Sequence, residues 1–267
     1  MSSGDVTFVH ITDSHIGPTA DYARHGLTAL PCAERVVDLV NALDPQPDFV
    51  LHTGDVVTEP DPASYRLAAA VFGRLAAPVY YAVGNHDTAD DLRRFMAHGP
   101  HTALLPDGEA WSYAFEVRGH RCLAIDARGP DAIDPHGRLS PAQWSVIDRE
   151  LTADGPPLVV FTHFPLLPVG SPWIDRTMLV EDGEALHRRL AAVAHRVRGV
   201  FFGHIHQPLQ MLVDGVLYAA APSTFAQLTG GPMDEVAGED RVAPPGYAVV
   251  RLGAAGTIVR PLTFQRP

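Results

Sequence analysis

The chain has 267 residues, of which 46% are hydrophobic and 19% charged, a composition typical of a globular protein and not of a disordered one. Its formal net charge is −11 and it contains no lysine, so its 20 basic residues are all arginine. The missing lysine excludes P-loop nucleotide binding and lysine Schiff-base chemistry, and the acidic balance disfavours a nucleic-acid polymer as partner. Two cysteines, Cys32 and Cys122, are too few for a disulfide framework and are expected to be buried thiols.

No membrane partner or export signal is expected. The N-terminus reaches a strand-like run without a basic segment or a cleavable apolar stretch. The most apolar later region, residues 67–83, is interrupted by Arg74 and Pro78 and is too short to span a bilayer. We therefore expect a cytoplasmic protein.

The first third of the chain alternates between strand-like and helix-like segments. In chain order the pattern predicts a strand over residues 6–12, a helix over 31–43, a strand over 49–53, a helix from Asp61 to about 76, a strand over 79–83 and a helix near 89–96. Such alternation is typical of a layered α/β domain with parallel strands.

The remainder of the chain mixes helices with antiparallel strands. The predicted elements are antiparallel strands over residues 111–117 and 122–125, a helix over 140–151, a strand over 158–162, a helix over 180–193, a strand over 200–202, and two strand pairs over 210–220 and 247–264. Residues 230–245 lack periodicity and are predicted to form a long loop. Since no repeat or linker divides the chain, we expect one domain over residues 1–267. A homo-oligomer stays open, because the β-rich C-terminal end could be either a dimer contact or a sheet edge.

Five of the predicted strands are followed at once by side chains that bind metal ions. The segments are Asp13-Ser14-His15, Gly54-Asp55, Gly84-Asn85-His86-Asp87, His163, and Gly203-His204-Ile205-His206. A single Gly-Asp or Asp-x-His is more often a capped turn, but ligands in α/β sheets bind at the carboxyl ends of strands. Because all five segments stand at such ends, the sequence predicts that they meet in one two-metal site that hydrolyses a phosphate ester.

The residue types narrow the choice of metal. Imidazole mixed with carboxylate favours Fe, Mn, Zn or Co over Ca or Mg. Two such ions about 4 Å apart can clamp a phosphoryl oxygen and activate the water between them. A pair of cations needs a bridging anion, and Asp55 is the candidate. His10 and His52 lie within strands and are expected in the core or behind the site.

Together with Pro165, the five segments resemble the five-motif signature of calcineurin-like metallophosphoesterases. The resemblance implies an α/β fold, a β-sandwich of two mixed sheets flanked by helices. We expect the β-rich C-terminal end, about residues 225–267, near the mouth of the active site. The resemblance also implies two groups of metal ligands that share Asp55: Asp13, His15, Asp55 and His206 for one ion, and Asp55, Asn85, His163 and His204 for the other.

The same resemblance assigns the catalytic residues. His86, which is not a ligand, would stabilise the phosphoryl oxygens or protonate the leaving oxygen, with Asp87 orienting it. Contacts with the substrate are expected from His15, Asn85, His86 and His206.

Within this family the chain is most similar to the class III cyclic-nucleotide phosphodiesterase branch, on its compact length, its early Asp-x-His and the segment Ala221-Pro222-Ser223-Thr224. Phe164 and Phe225 depart from that branch, where a histidine and a cysteine are frequent, and could alter the substrate. The leading hypothesis is a phosphodiesterase that hydrolyses a small phosphodiester, first of all a 3′,5′-cyclic nucleotide such as cAMP, with a metal-bridging hydroxide. The alternatives are a glycerophosphodiesterase or broad phosphomonoesterase on the same scaffold and, with less support, a non-catalytic metal-binding module.

Overall fold

A computed structural model of the chain describes residues 4–267. Its strands are, in chain order, β1 (Val6–Ile11), β2 (Ala23–Arg24), β3 (Leu27–Thr28), β4 (Phe49–His52), β5 (Val79–Tyr81), β6 (Thr102–Ala103), β7 (Tyr113–Val117), β8 (His120–Ala124), β9 (Leu158–Phe161), β10 (Val197–Phe202), β11 (Leu209–Val213), β12 (Val216–Ala220), β13 (Gln227–Leu228), β14 (Glu239–Asp240), β15 (Gly246–Gly253) and β16 (Gly256–Thr263). Its helices are α1 (Leu30–Asn41), α2 (Pro62–Phe72), α3 (Ala89–Phe95), α4 (Pro141–Glu150), α5 (Pro172–Thr177) and α6 (Gly183–Ala192), with a short 3-10 turn at Asp131–Ile133.

The first sheet has the strand order β16-β15-β1-β4-β5. β1, β4 and β5 run parallel, as the alternating pattern of the first third predicts, and α1 and α2 connect them. β15 pairs antiparallel with β1 and with β16, so the C-terminal hairpin extends the sheet that the N-terminal strand begins. Residues 1–3 lie outside the described part, and the single domain over residues 1–267 stays a prediction.

The second sheet has the order β11-β12-β10-β9-β8-β7-β6. Its central strands β8, β9, β10 and β12 are parallel, while β6, β7 and β11 are antiparallel to their neighbours. Both sheets are therefore mixed.

Aromatic side chains join the two sheets face to face. The ring of Phe8 meets that of Phe201 edge-on with centroids 5.0 Å apart, and Phe49 meets Phe115 in the same way at 5.3 Å. The apolar faces of α1 and α2 pack with the first sheet, and those of α4 and α6 pack with the second. The predicted sandwich of two mixed sheets flanked by helices is confirmed.

Two helix starts follow directly from local sequence. The carboxylate of Asp61 accepts hydrogen bonds from the backbone N–H groups of Ala63 and Ser64, and Pro62 stands at the first helical position. Ser140 and Gln143 form a reciprocal capping box at the start of α4.

The segments that the sequence did not predict are short. β2, β3, β6, β13 and β14 have two residues each and α5 has six, so they are too short to show a period. α2 ends at Phe72 and α6 begins at Gly183, so both are shorter than predicted, in keeping with the poor definition of helix ends by periodicity. Across residues 4–267, no helix combines the length and the apolar character that crossing a membrane requires.

Candidate metal centre

The polar segments that follow five strands meet at one edge of the two sheets. Asp13 and His15 follow β1, Asp55 follows β4, Asn85 and His86 follow β5, His163 follows β9, and His204 and His206 follow β10. Because β1, β4 and β5 are parallel in one sheet and β9 and β10 in the other, the carboxyl ends within each sheet lie side by side. The structure thereby gathers all seven residues that were predicted as metal ligands.

Most of these residues have an unusual backbone conformation. The angle φ is positive at five of them, with 53° at Asp13, 46° at His15, 53° at Asp55, 68° at His204 and 49° at His206. Such a left-handed conformation costs a non-glycine residue on the order of 1–3 kcal/mol, and functional sites are where it concentrates. Hydrogen bonds between strand ends maintain it, since the N–H of Asp13 donates to the carbonyl of Gly54 and the N–H of His15 to that of Asp55, both at 3.0 Å.

One group of donor atoms comes from Asp13, His15, Asp55 and His206, all within 4.8 Å of one another. Nε2 of His15 lies 3.6 Å from Oδ2 of Asp55 and 3.0 Å from Nε2 of His206. Nε2 of His206 lies 3.4 Å from Oδ1 of Asp13. These four side chains could hold one metal ion.

A second group comes from Asp55, His163 and His204. Nε2 of His163 lies 3.4 Å from Oδ2 of Asp55, 3.0 Å from Nδ1 of His204 and 3.2 Å from Oδ1 of Asn85. Asp55 is therefore common to both groups, in the bridging place that the sequence gives it.

The outward nitrogens of three histidines explain why the inward ones can act as ligands. Nδ1 of His163 donates to the carbonyl of Thr53 at 2.7 Å, Nε2 of His204 to that of Pro135 at 2.9 Å, and Nδ1 of His206 to that of Ala226 at 2.7 Å. A carbonyl can only accept, so the outward nitrogen carries a proton, and each ring in its neutral form turns a lone pair toward the donor groups. The donor set thus fits borderline transition metals, which bind imidazole and carboxylate.

Electrostatics at the site depend on burial and on Asp55. Burial lowers the pKa of His15 and of His204 well below the usual value, which keeps both rings in the neutral form that binds metals. At His163, burial is outweighed by the carboxylate of Asp55, and the pKa of His163 rises to about 9. The pKa of Asp55 is held well below its usual range, because its attraction to His163 and His86 outweighs its own burial.

His86 borders the donor groups without belonging to either of them. Its backbone N–H donates to Oδ1 of Asp55 at 3.0 Å, and its ring is half-buried with the centroid 5.0 Å from that of His15. Nδ1 of His86 donates to the carbonyl of Thr58 at 2.7 Å. The nitrogen left for a substrate is therefore Nε2.

The expected orientation of His86 by Asp87 is wrong, because Thr58 takes that place. The buried carboxylate of Asp87 accepts backbone N–H groups instead, from Val56 at 3.1 Å and from Gly84 at 3.1 Å. Burial and the neighbouring charge of Asp55 raise the pKa of Asp87 to about 6. Asp87 thereby links the two loops that carry Asp55 and Asn85.

A cavity of about 370 Å³ opens beside Asn85 and His86. Its other lining residues come from the loop after β4, from the loop after β8 and from the segment after β9: Glu59, Pro60, Arg128, Gly129, Pro130, Asp131, Asp134, His136 and Phe164. Phe164, which departs from the pattern of the phosphodiesterase branch, therefore borders the cavity. The ring of Phe225 lies 6.1 Å from that of His15, on the first donor group.

Sequence reasoning missed two arginines at the site. Nε of Arg128 donates to the carbonyl of Asn85 at 3.4 Å, and Nη1 of Arg24 lies 2.8 Å from Nδ1 of His15. Neither belongs to a recognisable motif, and Arg24 lies on one of the two-residue strands that periodicity cannot detect. A third arginine, Arg176, is exposed and pairs with Glu235 at 3.0 Å.

A two-sheet α/β sandwich with imidazole and carboxylate groups gathered at its strand ends defines a metallohydrolase. Comparison with known proteins makes the class specific, since the family model described as calcineurin-like phosphoesterase matches residues 6–208. The chain belongs to the calcineurin-like phosphoesterase family. It is an enzyme, a metal-dependent hydrolase of phosphoric esters.

Individual relatives agree with this assignment. The chain is 28% identical over 262 residues to the 3′,5′-cyclic adenosine monophosphate phosphodiesterase CpdA of Vibrio vulnificus, covering 97% of this chain and 89% of the relative. It is 29% identical to the protein of the same description from Pseudomonas aeruginosa, covering 96% of this chain and 89% of the relative. Among solved structures, a dimetal phosphatase from Danio rerio has the same fold, with a TM-score of 0.70 at 14% identity over 98% of this chain and 99% of the other.

Proposed function

We propose that this enzyme hydrolyses a small phosphodiester, and that a 3′,5′-cyclic nucleotide such as cAMP is its substrate. The observation that carries the proposal is the pair of donor groups sharing Asp55 beside His86. That arrangement suits two metal ions, taken from iron, manganese, zinc and cobalt, with Asp55 between them. The relatives described as cyclic AMP phosphodiesterases, which align over nearly the whole chain, support the choice of ester.

The charge of the cavity favours a diester over a monoester. Three carboxylates, those of Glu59, Asp131 and Asp134, line it beside one arginine, Arg128, which already pairs with Asp131 at 2.7 Å. A phosphate monoester has a second ionisation with a pKa of about 6 and is close to doubly negative at neutral pH, whereas a diester carries one negative charge. Because like charges repel, the carboxylates that line the cavity disfavour binding of the doubly negative monoester.

The proposed ligands divide as the donor groups do. Asp13, His15, Asp55 and His206 hold one ion, and Asp55, Asn85, His163 and His204 hold the other. When bound, the ions polarise the phosphoryl group and supply a nucleophile from water at neutral pH.

The remaining steps belong to side chains of this chain. His86 is held through Nδ1 by Thr58, which leaves Nε2 to donate a proton to the leaving oxygen or a hydrogen bond to a phosphoryl oxygen. Asp87 is 0% exposed and accepts hydrogen bonds from the loops that carry Asp55 and Asn85. These hydrogen bonds hold both residues in place beside His86. His15, Asn85, His86 and His206 are proposed to contact the substrate.

A substrate panel tests the proposal. The metal-loaded enzyme is assayed with cAMP, bis-p-nitrophenyl phosphate, glycerophosphocholine and p-nitrophenyl phosphate, and the kcat/KM values are compared. We expect both cAMP and the synthetic diester to be hydrolysed, with cAMP preferred over the monoester. Turnover of the monoester alone would refute the phosphodiesterase assignment, and preference for glycerophosphocholine would replace the cyclic nucleotide by a glycerophosphodiester.

A further inference from the structure

Arg24 lies on a small hairpin whose geometry fixes its direction. β2 and β3 pair antiparallel, with Arg24 opposite Leu27 and only His25 and Gly26 between them. The angle φ is 51° at His25 and 78° at Gly26. Positive φ at both loop residues is the mark of a type I′ turn, the tightest connection compatible with strand twist. The backbone of Arg24 is therefore well defined.

A second contact ties the hairpin to another part of the chain. Nε2 of His25 lies 3.1 Å from Oε1 of Glu239 on β14. β14 pairs with β13, and β13 begins directly after Ala226, whose carbonyl orients His206. Arg24 is thus presented by two linked elements that frame the first donor group.

The guanidinium of Arg24 has an unusual partner. Nη1 lies 2.8 Å from Nδ1 of His15. The other three histidines of the donor groups turn the corresponding nitrogen to a main-chain carbonyl, which accepts. Arginine can only donate, so Nδ1 of His15 has to accept here.

This contact is incompatible with a metal ion on Nε2 of His15. A neutral imidazole that ligates through Nε2 carries its proton on Nδ1, which then becomes a donor. Two donors cannot share a hydrogen bond, so the guanidinium has to find another acceptor when the site is loaded. The positive charge of an arginine this close also repels a metal ion. Arg24 would therefore weaken metal binding unless an anion lies between its guanidinium and the metal.

The charge of Arg24 is otherwise unused. Within residues 4–267, no carboxylate forms an ion pair with Arg24, whereas Arg128 pairs with Asp131 and Arg176 pairs with Glu235. Its planar fork of N–H groups matches the oxygens of a phosphate.

We propose that Arg24 is a phosphate-binding residue, which leaves His15 when the metal site is loaded and donates to a phosphoryl oxygen of the substrate. The proposal rests on the proposed function in that the anion is the reacting phosphate. Arg24 then contributes to binding the phosphoryl group from the side of His15.

Binding of inorganic phosphate tests this without relying on turnover. Calorimetry on the manganese-loaded protein measures the Kd for phosphate in the wild type, Arg24→Ala and Arg24→Lys. We expect Arg24→Ala to raise this Kd by about tenfold or more, the loss of a charge-assisted hydrogen bond, and Arg24→Lys to recover part of it. Titration of the metal-free proteins with Mn²⁺ should show Arg24→Ala binding the metal at least as tightly as the wild type.

The matched control is Arg118→Ala, an arginine at the turn between β7 and β8 that pairs with Asp48 at the far end of the strands. An unchanged Kd for phosphate in Arg24→Ala would overturn the proposal. So would a loss of Mn²⁺ affinity in parallel with the loss of phosphate affinity, because Arg24 would then only support His15. If the wild type hydrolysed no diester, the proposed function would fail, while phosphate binding would still decide the role of Arg24.

Discussion

Gly84 lies so close to Asp55 that a Cβ atom on it would be 2.1 Å from Oδ1 and 2.3 Å from the backbone nitrogen of Asp55. Oδ1 of Asp55 accepts the backbone N–H of His86, and the carbonyl of Asp55 accepts that of His15. Asp55 therefore cannot move away without displacing the carboxylate shared by the two donor groups. The glycine of the Gly-Asn-His-Asp segment is therefore required by close approach of two loops, whatever its own φ.

Gly84→Ala is accordingly expected to damage the site. Overpacking of this kind costs about 1–3 kcal/mol of unfolding free energy, and displacement of Asp55 should lower the metal content. Denaturant unfolding and elemental analysis measure the two effects. Gly253→Ala is the control, because a Cβ there meets Asp5 only at an ordinary contact of 3.4 Å. Full metal content in Gly84→Ala would show that the loops adjust freely.

Asp55→Asn tests the bridging role. Asparagine keeps the shape and can still accept the N–H of His86, but it removes the charge that draws His163 and would offset two cations. We expect the metal affinity of both donor groups to fall together, by at least ~100-fold. Loss of a residue that only orients a ligand usually costs less than this. Metal titration of the chelator-treated protein measures this. Asp126→Asn is the control, a buried carboxylate that accepts the N–H of Trp111 and lies outside both groups. Loss of one ion with normal affinity for the other would contradict bridging.

His86→Ala should separate catalysis from metal binding. The backbone N–H that His86 donates to Asp55 survives the substitution, so both donor groups should remain intact. Loss of the ring should lower kcat by about 10²–10⁴-fold, the range for a general acid. Steady-state kinetics and elemental analysis on the same sample give both values. His136→Ala, in the same cavity, is expected to change kcat far less. Unchanged turnover in His86→Ala would remove His86 from the mechanism.

The fold and the gathering of the donor residues were predictable, because both depend on side chains that leave a pattern in the sequence. Apolar runs marked the strands, and Asp13, Asp55 and His163 followed them at positions that a parallel sheet brings to one edge. The resemblance of the five segments to a known signature then supplied the division into two groups.

What the sequence could not show depends on main-chain atoms. Thr58, not Asp87, orients His86, and it does so with a carbonyl that every residue type carries. The carbonyls of Thr53, Pro135 and Ala226 orient the other rings in the same way. Arg24 reaches His15 through a hairpin of two-residue strands, which has no hydrophobic period.

His10 should make the stability of the protein sensitive to acid. It lies on β1 with 0% exposure, Nε2 is 2.8 Å from Oγ1 of Thr53, and burial lowers the pKa of His10 to about 3. In the unfolded chain the pKa is near ~6.5, so on acidification the unfolded state takes up this proton first. The free energy of unfolding therefore falls as the pH drops below that value, and the contribution levels off near the folded-state pKa.

A comparison of two variants isolates this effect, since other groups titrate alike in all the proteins. Between about pH 7 and pH 5, the wild type should lose about 2 kcal/mol more unfolding free energy than His10→Gln, by linkage from the two pKa values. Urea unfolding of chelator-treated protein at both pH values measures the difference. His195→Gln, at an exposed position on the surface, should follow the wild type. An equal loss in wild type and His10→Gln would mean that the buried ring accepts its proton without unfolding.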